Sequence, residues 1–185
     1  MRSPEAAATP LLHGERVVLR PFGPQHLSAR YVSWLNDPQT VRFSEQRHRS
    51  HTLESCREWT AAMTRPPHRL WAVEAASLGH VGNLAVYADP ANSLADLTIL
   101  LGEGRGRGFG LDAWKTGLAW LLGPGGLRKV TAGTLAANEP MLAVMRASGM
   151  AEDGIRRRHY LLEGREVDVV CMAAFRSPTM QGERS

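Results

Sequence analysis

Residues 96–111 read Asp96-Leu97-Thr98-Ile99-Leu100-Leu101-Gly102-Glu103-Gly104-Arg105-Gly106-Arg107-Gly108-Phe109-Gly110-Leu111. The first six are apolar at nearly every position after Asp96, which predicts a central strand covered on both faces. Five of the nine residues 102–110 are glycine. Residues 111–122 then place Leu111, Trp114, Leu118 and Leu121/Leu122 on one side of a helix. A helix N-terminus presents unpaired backbone N–H groups and a partial positive charge. Glycines let the preceding chain bend so that those groups converge on an anion. Arg105 and Arg107 bring two full charges to the same loop, so the segment predicts a phosphate or diphosphate site.

Three loop chemistries use this device. The nucleotide P-loop needs Lys-Ser or Lys-Thr directly after its last glycine. Lys115-Thr116 is preceded by Trp114, so that spacing fails. The dinucleotide fingerprint is partly met by Gly108-Phe109-Gly110, but it demands a parallel βαβ unit with an acidic residue closing the second strand. The next strand, residues 128–135, has none. The acyl-coenzyme A signature, Arg/Gln-x-x-Gly-x-Gly/Ala, is met without a gap by Arg105, Gly106, Arg107, Gly108, Phe109 and Gly110.

Outward from the loop, strands are expected at 16–22, 70–75, 80–87, 128–135, 155–162 and 166–175. Helices are expected at 24–36, after Thr52, and at 139–148. Asn36-Asp37-Pro38 ends the first helix, because the residue before proline avoids the helical region. Thr52 caps the second, whose buried stripe is Leu53, Cys56, Trp59 and Met63. Residues 43–50 read as a polar loop. Asn138 precedes the last helix and Gly149 ends it. The order β α α β β β α β α β β predicts one α/β domain, 11–176, with a mixed sheet covered by helices. Short ends at 1–10 and 177–185 are expected to fray.

Composition narrows the function classes. Hydrophobic residues make up 43% and charged residues 22% of the 185, which excludes wholesale disorder. A net charge of +4 without a basic cluster interleaved with aromatics argues against nucleic acid and suits an anionic ligand. Cys56 and Cys171 are too few for a disulfide scaffold, no metal-ligand spacing is present, and both read as reduced core thiols. No apolar run approaches a membrane span and no leader pattern opens the chain, so the expected compartment is the cytoplasm.

Residues 95–150 resemble the acetyl-CoA core of the GNAT superfamily of N-acetyltransferases. They carry the strand, loop and helix, the Lys129-Val130 strand start, Asn138, and Gly149-Met150 at the family's spacing. The flanks, Leu19-Arg20-Pro21, residues 31–38, Val81-Gly82-Asn83-Leu84 and the final Gly164…Asp168 hairpin, are similar to the branch of ribosomal-protein alanine acetyltransferases and nucleotide-sugar N-acetyltransferases. The resemblance spans residues 12–175. It implies a mostly antiparallel mixed sheet of about seven strands, splayed between its central strands, with helices on both faces.

The resemblance also implies acetyl-CoA as cofactor. Its pantetheine arm would lie along Ile99, Leu100 and Leu101, its diphosphate in the loop from Arg105 to Gly110, and its amide arm on Asn138. A primary amine would attack the thioester directly after losing a proton to a base. Asp96 is the first candidate base, with Glu74 and Glu45 in reserve. Relatives carry a hydroxyl where Met141 and Met145 stand, and Tyr160 is the candidate substitute. Glu45, Arg47 and His51, with His48 and Arg49, would overhang the amine. The three consecutive arginines at 156–158 cannot all face one ligand. The acceptor implied is a small molecule such as an amino sugar or aminoglycoside. The alternatives are a protein N-terminal acetyltransferase of the ribosomal type and a non-catalytic acyl-CoA-binding module. Relatives often pair as dimers.

Overall fold

The computed structural model describes residues 8–177; the expectations for 1–7 and 178–185 lie outside it. Strand β1 (Leu12–His13) pairs with β2 (Val17–Pro21). A 3-10 turn at Pro24–His26 precedes helices α1 (Ala29–Asn36) and α2 (Pro38–Val41), and a second at Glu45–His48 precedes α3 (Leu53–Met63). Strands β3 (Arg69–Ala75), β4 (Gly79–Asp89) and β5 (Leu94–Leu101) lead to α4 (Phe109–Leu122). Strand β6 (Lys129–Leu135), helix α5 (Glu139–Ala147) and the hairpin β7 (Ala151–Leu162) and β8 (Arg165–Phe175) complete the domain.

The eight strands form one sheet in the order β1-β2-β3-β4-β5-β6-β8-β7. The expected seven-strand count missed β1, whose two residues pair Leu12 with Leu19 and His13 with Val18. Pro10, assigned from the sequence to a fraying end, accepts a hydrogen bond from the Trp71 indole at 2.7 Å.

All neighbouring strands are antiparallel except β5 and β6. These two run parallel for three rungs, Leu94–Lys129, Ala95–Val130 and Asp96–Thr131, and then separate. Beyond the fork β5 stays with β4 as far as Leu101 opposite Gly82. Strand β6 stays with β8 as far as Leu135 opposite Val169. The facing edges of β5 and β6 therefore carry backbone polar groups with no strand partner, which open sheets otherwise cover.

Side chains alternate along each strand, so the sheet has two distinct faces. On one, Ala95 and Leu97 of β5 pack with Leu84 and Val86 of β4 beneath α4 and α5, in the main core around Trp114 and Met145. On the other, Leu100 joins Tyr31, Trp34, Leu35 and Cys56, and Ala85 joins Leu70 and Met63, under α1 and α3. Strand β5 is not covered on both faces, as its apolar sequence had suggested. Thr98 is exposed and Asp96 half-buried, because the second face opens into a cleft.

Helix starts follow local chemistry. The Ser28 hydroxyl accepts from the Tyr31 amide at 3.3 Å, so α1 begins at Ala29 and not at Pro24. The Thr52 hydroxyl accepts from the Ser55 amide at 3.1 Å, while the Ser55 hydroxyl accepts from the Thr52 amide at 3.0 Å, a reciprocal cap. Of the expected α3 stripe, Leu53 is exposed: it sits on the outer side of the first turn, and Cys56, Thr60 and Met63 face the sheet. Helix α4 starts two residues before the expected Leu111, with Gly108 as its cap.

Candidate active site

The cleft opens where β5 and β6 part, bounded by α1–α3 on one side and by Trp114 of α4 and the start of α5 on the other, with a volume of about 1130 Å³. The loop after β5 closes one end. Gly106 and Gly108 sit at φ +78° and +80°, a region that L side chains avoid, so a side chain at either strains the backbone that aims the α4 entrance. The Arg105 guanidinium donates to the Thr40 hydroxyl and stands 4.0 Å from the Asp37 carboxylate, which pins the loop to the start of α2. Arg105 lines the cleft. Arg107 does not join it there. It turns to a separate shallow hollow shared with Arg16 and Lys115, its guanidinium over the Phe109 ring. The sequence placed both arginines at one point; positions two apart in this loop point to opposite sides of it. Phe109 is buried in the main core, so its ring serves the loop's packing.

At the apex of the fork sits Asp96, in the last parallel rung, opposite Thr131. The Thr131 hydroxyl donates to it weakly, at 3.4 Å. Burial raises the Asp96 pKa to about 6, and Thr131 and the nearby Arg156 only partly offset the rise. A carboxylate with that pKa is charged at neutral pH and far more basic than an ordinary aspartate. Asp96 shares a strand face with Thr98 and Leu100; it is not itself part of the cleft lining, which begins at its neighbours Leu97 and Thr98.

Other sequence candidates fall into two groups. Glu45, His51, Tyr160, Asn138, Ile99, Leu100 and Leu101 all line the cleft. The His51 backbone is fixed by Asn36 through two bonds of 2.8 Å, and its ring Nε2 is buried with no partner among the described residues. Asn138 caps α5: its Oδ1 accepts from the Met141 amide at 3.3 Å and its Nδ2 donates to the Thr134 hydroxyl at 2.9 Å. Met141 lines the cleft, whereas Met145 is wholly buried in the core.

Glu74 and Arg47 stand apart. Glu74 lies on β3 beside the His80 end of β4, while Asp96 lies opposite Tyr87 at the other end of that strand. Its carboxylate accepts from Arg20 at 2.8 Å and from His26 at 3.0 Å. Burial pushes its pKa up, but those two partners outweigh burial and hold it below the usual range. Its place in the structure is an ion-pair network outside the cleft lining. Arg47 is turned away: it pairs with Glu45 at 2.8 Å and donates to the Ser44 and Leu161 carbonyls at 2.8 and 3.0 Å.

Three residues escaped the sequence reading. Arg156 lines the cleft and acts on Asp96, while Arg157 and Arg158 pair with Asp168 and Glu166. Trp114 on α4 and Asn83 on β4 each line the cleft with a buried nitrogen that has no partner among the described residues. For Asn83 the signal was a polar residue inside an otherwise apolar strand. For Arg156 it was hidden by an irregularity of β7 between Arg156 and Tyr160, with Arg158 at φ +50°.

Against known families, the description "Acetyltransferase (GNAT) domain" matches residues 16–151, most of the chain. The chain belongs to the GNAT acetyltransferase family. Solved structures agree with that fold at low sequence identity. Spermidine N-acetyltransferase from Vibrio cholerae, solved with CoA and spermine, superposes with a TM-score of 0.78 at 17% identity, covering 87% of this chain and 96% of that one. RimL, a ribosomal L7/L12 alpha-N-protein acetyltransferase solved with coenzyme A, gives 0.78 at 16%, covering 90% and 98%. A GNAT-family acetyltransferase from Bacillus anthracis gives 0.77 at 15%, covering 90% and 98%. No curated protein matches the chain in sequence. Within this GNAT domain the described residues include no helix long and apolar enough to cross a membrane and no group of three metal-ligating side chains.

Proposed function

We propose that this GNAT domain is an acetyl-CoA-dependent N-acetyltransferase acting on a small primary amine carried by an anionic scaffold, such as a nucleotide-linked amino sugar. The observation that carries the reading is Asp96, a half-buried carboxylate whose pKa is raised to about 6, in the last rung before β5 and β6 separate.

The residues present suit the cofactor. The left-handed glycines aim the α4 entrance, Arg105 adds a charge beside it, and the fork edges offer unpaired backbone. The Trp114 indole N–H, buried without a partner, is a donor suited to an amide oxygen of the pantetheine arm. Acetyl-CoA, when bound, supplies the acetyl group as a thioester. Asp96 accepts the proton that the amine must lose before it can attack, since a free amine is mostly protonated at neutral pH. Thr131 and Arg156 partly offset the burial that raises the Asp96 pKa, and at about 6 it is still charged at neutral pH. Tyr160, which lines the cleft, returns a proton to the departing thiolate in this reading.

The charge of the wall favours the anionic scaffold. Arg42, Arg49, Arg105 and Arg156 line the cleft against Glu45. Arg42 is answered by Glu163 at 3.0 Å. Arg49 and Arg156 form no salt bridge among the described residues, which leaves two guanidiniums to meet an acceptor's phosphate or carboxylate. A polyamine or aminoglycoside would bring further positive charge into this wall. The test is thiol release from acetyl-CoA against nucleotide amino sugars, aminoglycosides, polyamines and N-terminal alanyl peptides. Turnover of the first group above the others supports the reading. Preference for polyamines or aminoglycosides contradicts the acceptor class, and preference for peptides selects the protein-acetylating alternative.

A further inference from the structure

Asn83 is 3% exposed, on β4, at the level of Leu100 on the neighbouring strand. It shares the cleft-facing side with Ala85 and Tyr87, beneath Tyr31 and Cys56. Its Oδ1 is bonded to His80 Nε2 at 2.8 Å. An amide oxygen only accepts, so with the amide this way round Nε2 is the donor. Burial lowers the His80 pKa, which keeps the ring neutral. The histidine thereby holds the Asn83 side chain in place. Nδ2 is buried with no hydrogen-bond partner among the described residues, in a residue of the cleft lining. Tyr31 is a polar neighbour: burial raises the Tyr31 pKa, and side-chain hydrogen bonding with Asn83 draws it back. An amide NH₂ carries two hydrogens, so a tyrosine contact still leaves one to be met.

A buried donor left unmet costs free energy that a ligand acceptor recovers on binding. A group held in one orientation by its neighbour also discriminates strongly, because it does not turn to suit a wrong partner. Asn83 lies one strand from β5 and about two residues along from Thr98, which puts it roughly 8 Å from the middle of the fork edge. That is the span of a chain of about six carbons.

We propose that Asn83 is a specificity-determining residue of the acceptor site: its Nδ2–H donates to an oxygen at the end of the acceptor remote from the reacting amine. The proposal rests on the acetyltransferase reading above and deepens it. It commits the acceptor to an oxygen acceptor at that end, whether carboxylate, phosphate or hydroxyl, and excludes an ammonium there.

The test uses four six-carbon amines that differ only at the far end: 6-aminohexanoate, 6-aminohexan-1-ol, hexylamine and 1,6-diaminohexane. Each is read by thiol release from acetyl-CoA and, independently of chemistry, by thermal protection of the protein. The wild type should favour the carboxylate and the alcohol over the alkane and the diamine by about tenfold in kcat/KM, carried by KM. Asn83→Asp keeps the oxygen that His80 donates to and replaces the unpartnered donor by an acceptor, so the order should invert in favour of the diamine. Asn83→Ser, too short to reach the cleft, should flatten the order to within about threefold. Acetyl-CoA affinity, measured by calorimetry, should stay within about twofold in both variants. The same order in all three proteins, or no response to any of the four amines, overturns the assignment. A wild type that binds no acetyl-CoA sinks the enzyme reading instead, and shows separately in the calorimetry.

Discussion

Thr131 and Asp96 face each other across the last rung of the parallel pair, with the Thr131 hydroxyl 3.4 Å from the Asp96 carboxylate and the strands diverging immediately beyond. A short strong bond there would favour the charged form and lower the pKa; this long one leaves burial in command, at about 6. The acetylation rate should therefore rise with pH up to about pH 6 through Asp96 ionisation, beneath any later rise from the amine itself. Rates at saturating acceptor from pH 5 to 8 check this. A flat profile across pH 5–7 contradicts it.

Replacing Asp96 by Asn removes the base and keeps the shape. Turnover should fall by about 10²-fold or more, the usual scale for a lost general base. Stability should move the other way. A carboxyl whose folded pKa is raised contributes stability at pH values below its unfolded pKa, and loses it as pH rises through the folded one. Above pH 6 the buried charge is a liability, so Asp96→Asn should be more stable than the wild type at pH 8 by on the order of 1–2 kcal/mol. The gain should vanish near pH 4. Urea midpoints at the two pH values measure it.

Glu74 should behave oppositely. Its folded pKa is held below the usual range, so its stabilisation is present above the unfolded value and lost as pH falls through the folded one. Glu74→Gln should cost about 1 kcal/mol at pH 7, less near pH 3, and leave turnover within about twofold, because its partners Arg20 and His26 lie outside the cleft lining. A large loss of turnover at unchanged stability would restore it as a candidate base.

The segment that anchors the loop from below is Asp112, in the first turn of α4. Its carboxylate accepts from the Glu15, Arg16 and Val17 amides at 3.1, 2.7 and 3.0 Å, tying the β1–β2 turn to the helix that carries the glycine loop. Asp112→Ala leaves three amides seeking partners and should lower stability by about 2 kcal/mol. Asp112→Asn keeps an oxygen for them and should lose less than half of that. Thermal melts of the two variants decide it; equal losses would mean that charge, and not acceptor geometry, holds the turn.

The parts of this site that were legible in sequence are those set by local chemistry. Glycines at positive φ, the asparagine cap at 138 and the threonine cap at 52 act within a few residues, so spacing reveals them, whereas the Ser28 cap was hidden by the helix-opening proline at 24. What escaped depends on partners far along the chain. Strand β1 is too short to show a period, and its place is fixed by Leu19 and by Asp112, about a hundred residues away. Glu74 looked like a spare base until Arg20 and His26 claimed it. The arginine run at 156–158 divides because β7 is irregular, which alternation alone does not predict. Asn83 sits in a strand whose neighbours are apolar, and only the fold shows its bond to His80 and its place in the cleft lining.

The account stands most directly on one titration. Calorimetry of the full chain with acetyl-CoA should give a single site of micromolar affinity, weakened at least tenfold by Arg105→Ala and abolished by Gly108→Val, which forces a branched side chain into a left-handed position. Absence of heat and of thermal protection at millimolar acetyl-CoA, or an undiminished affinity in Gly108→Val, would contradict the assignment of the fork and its glycine loop to the cofactor.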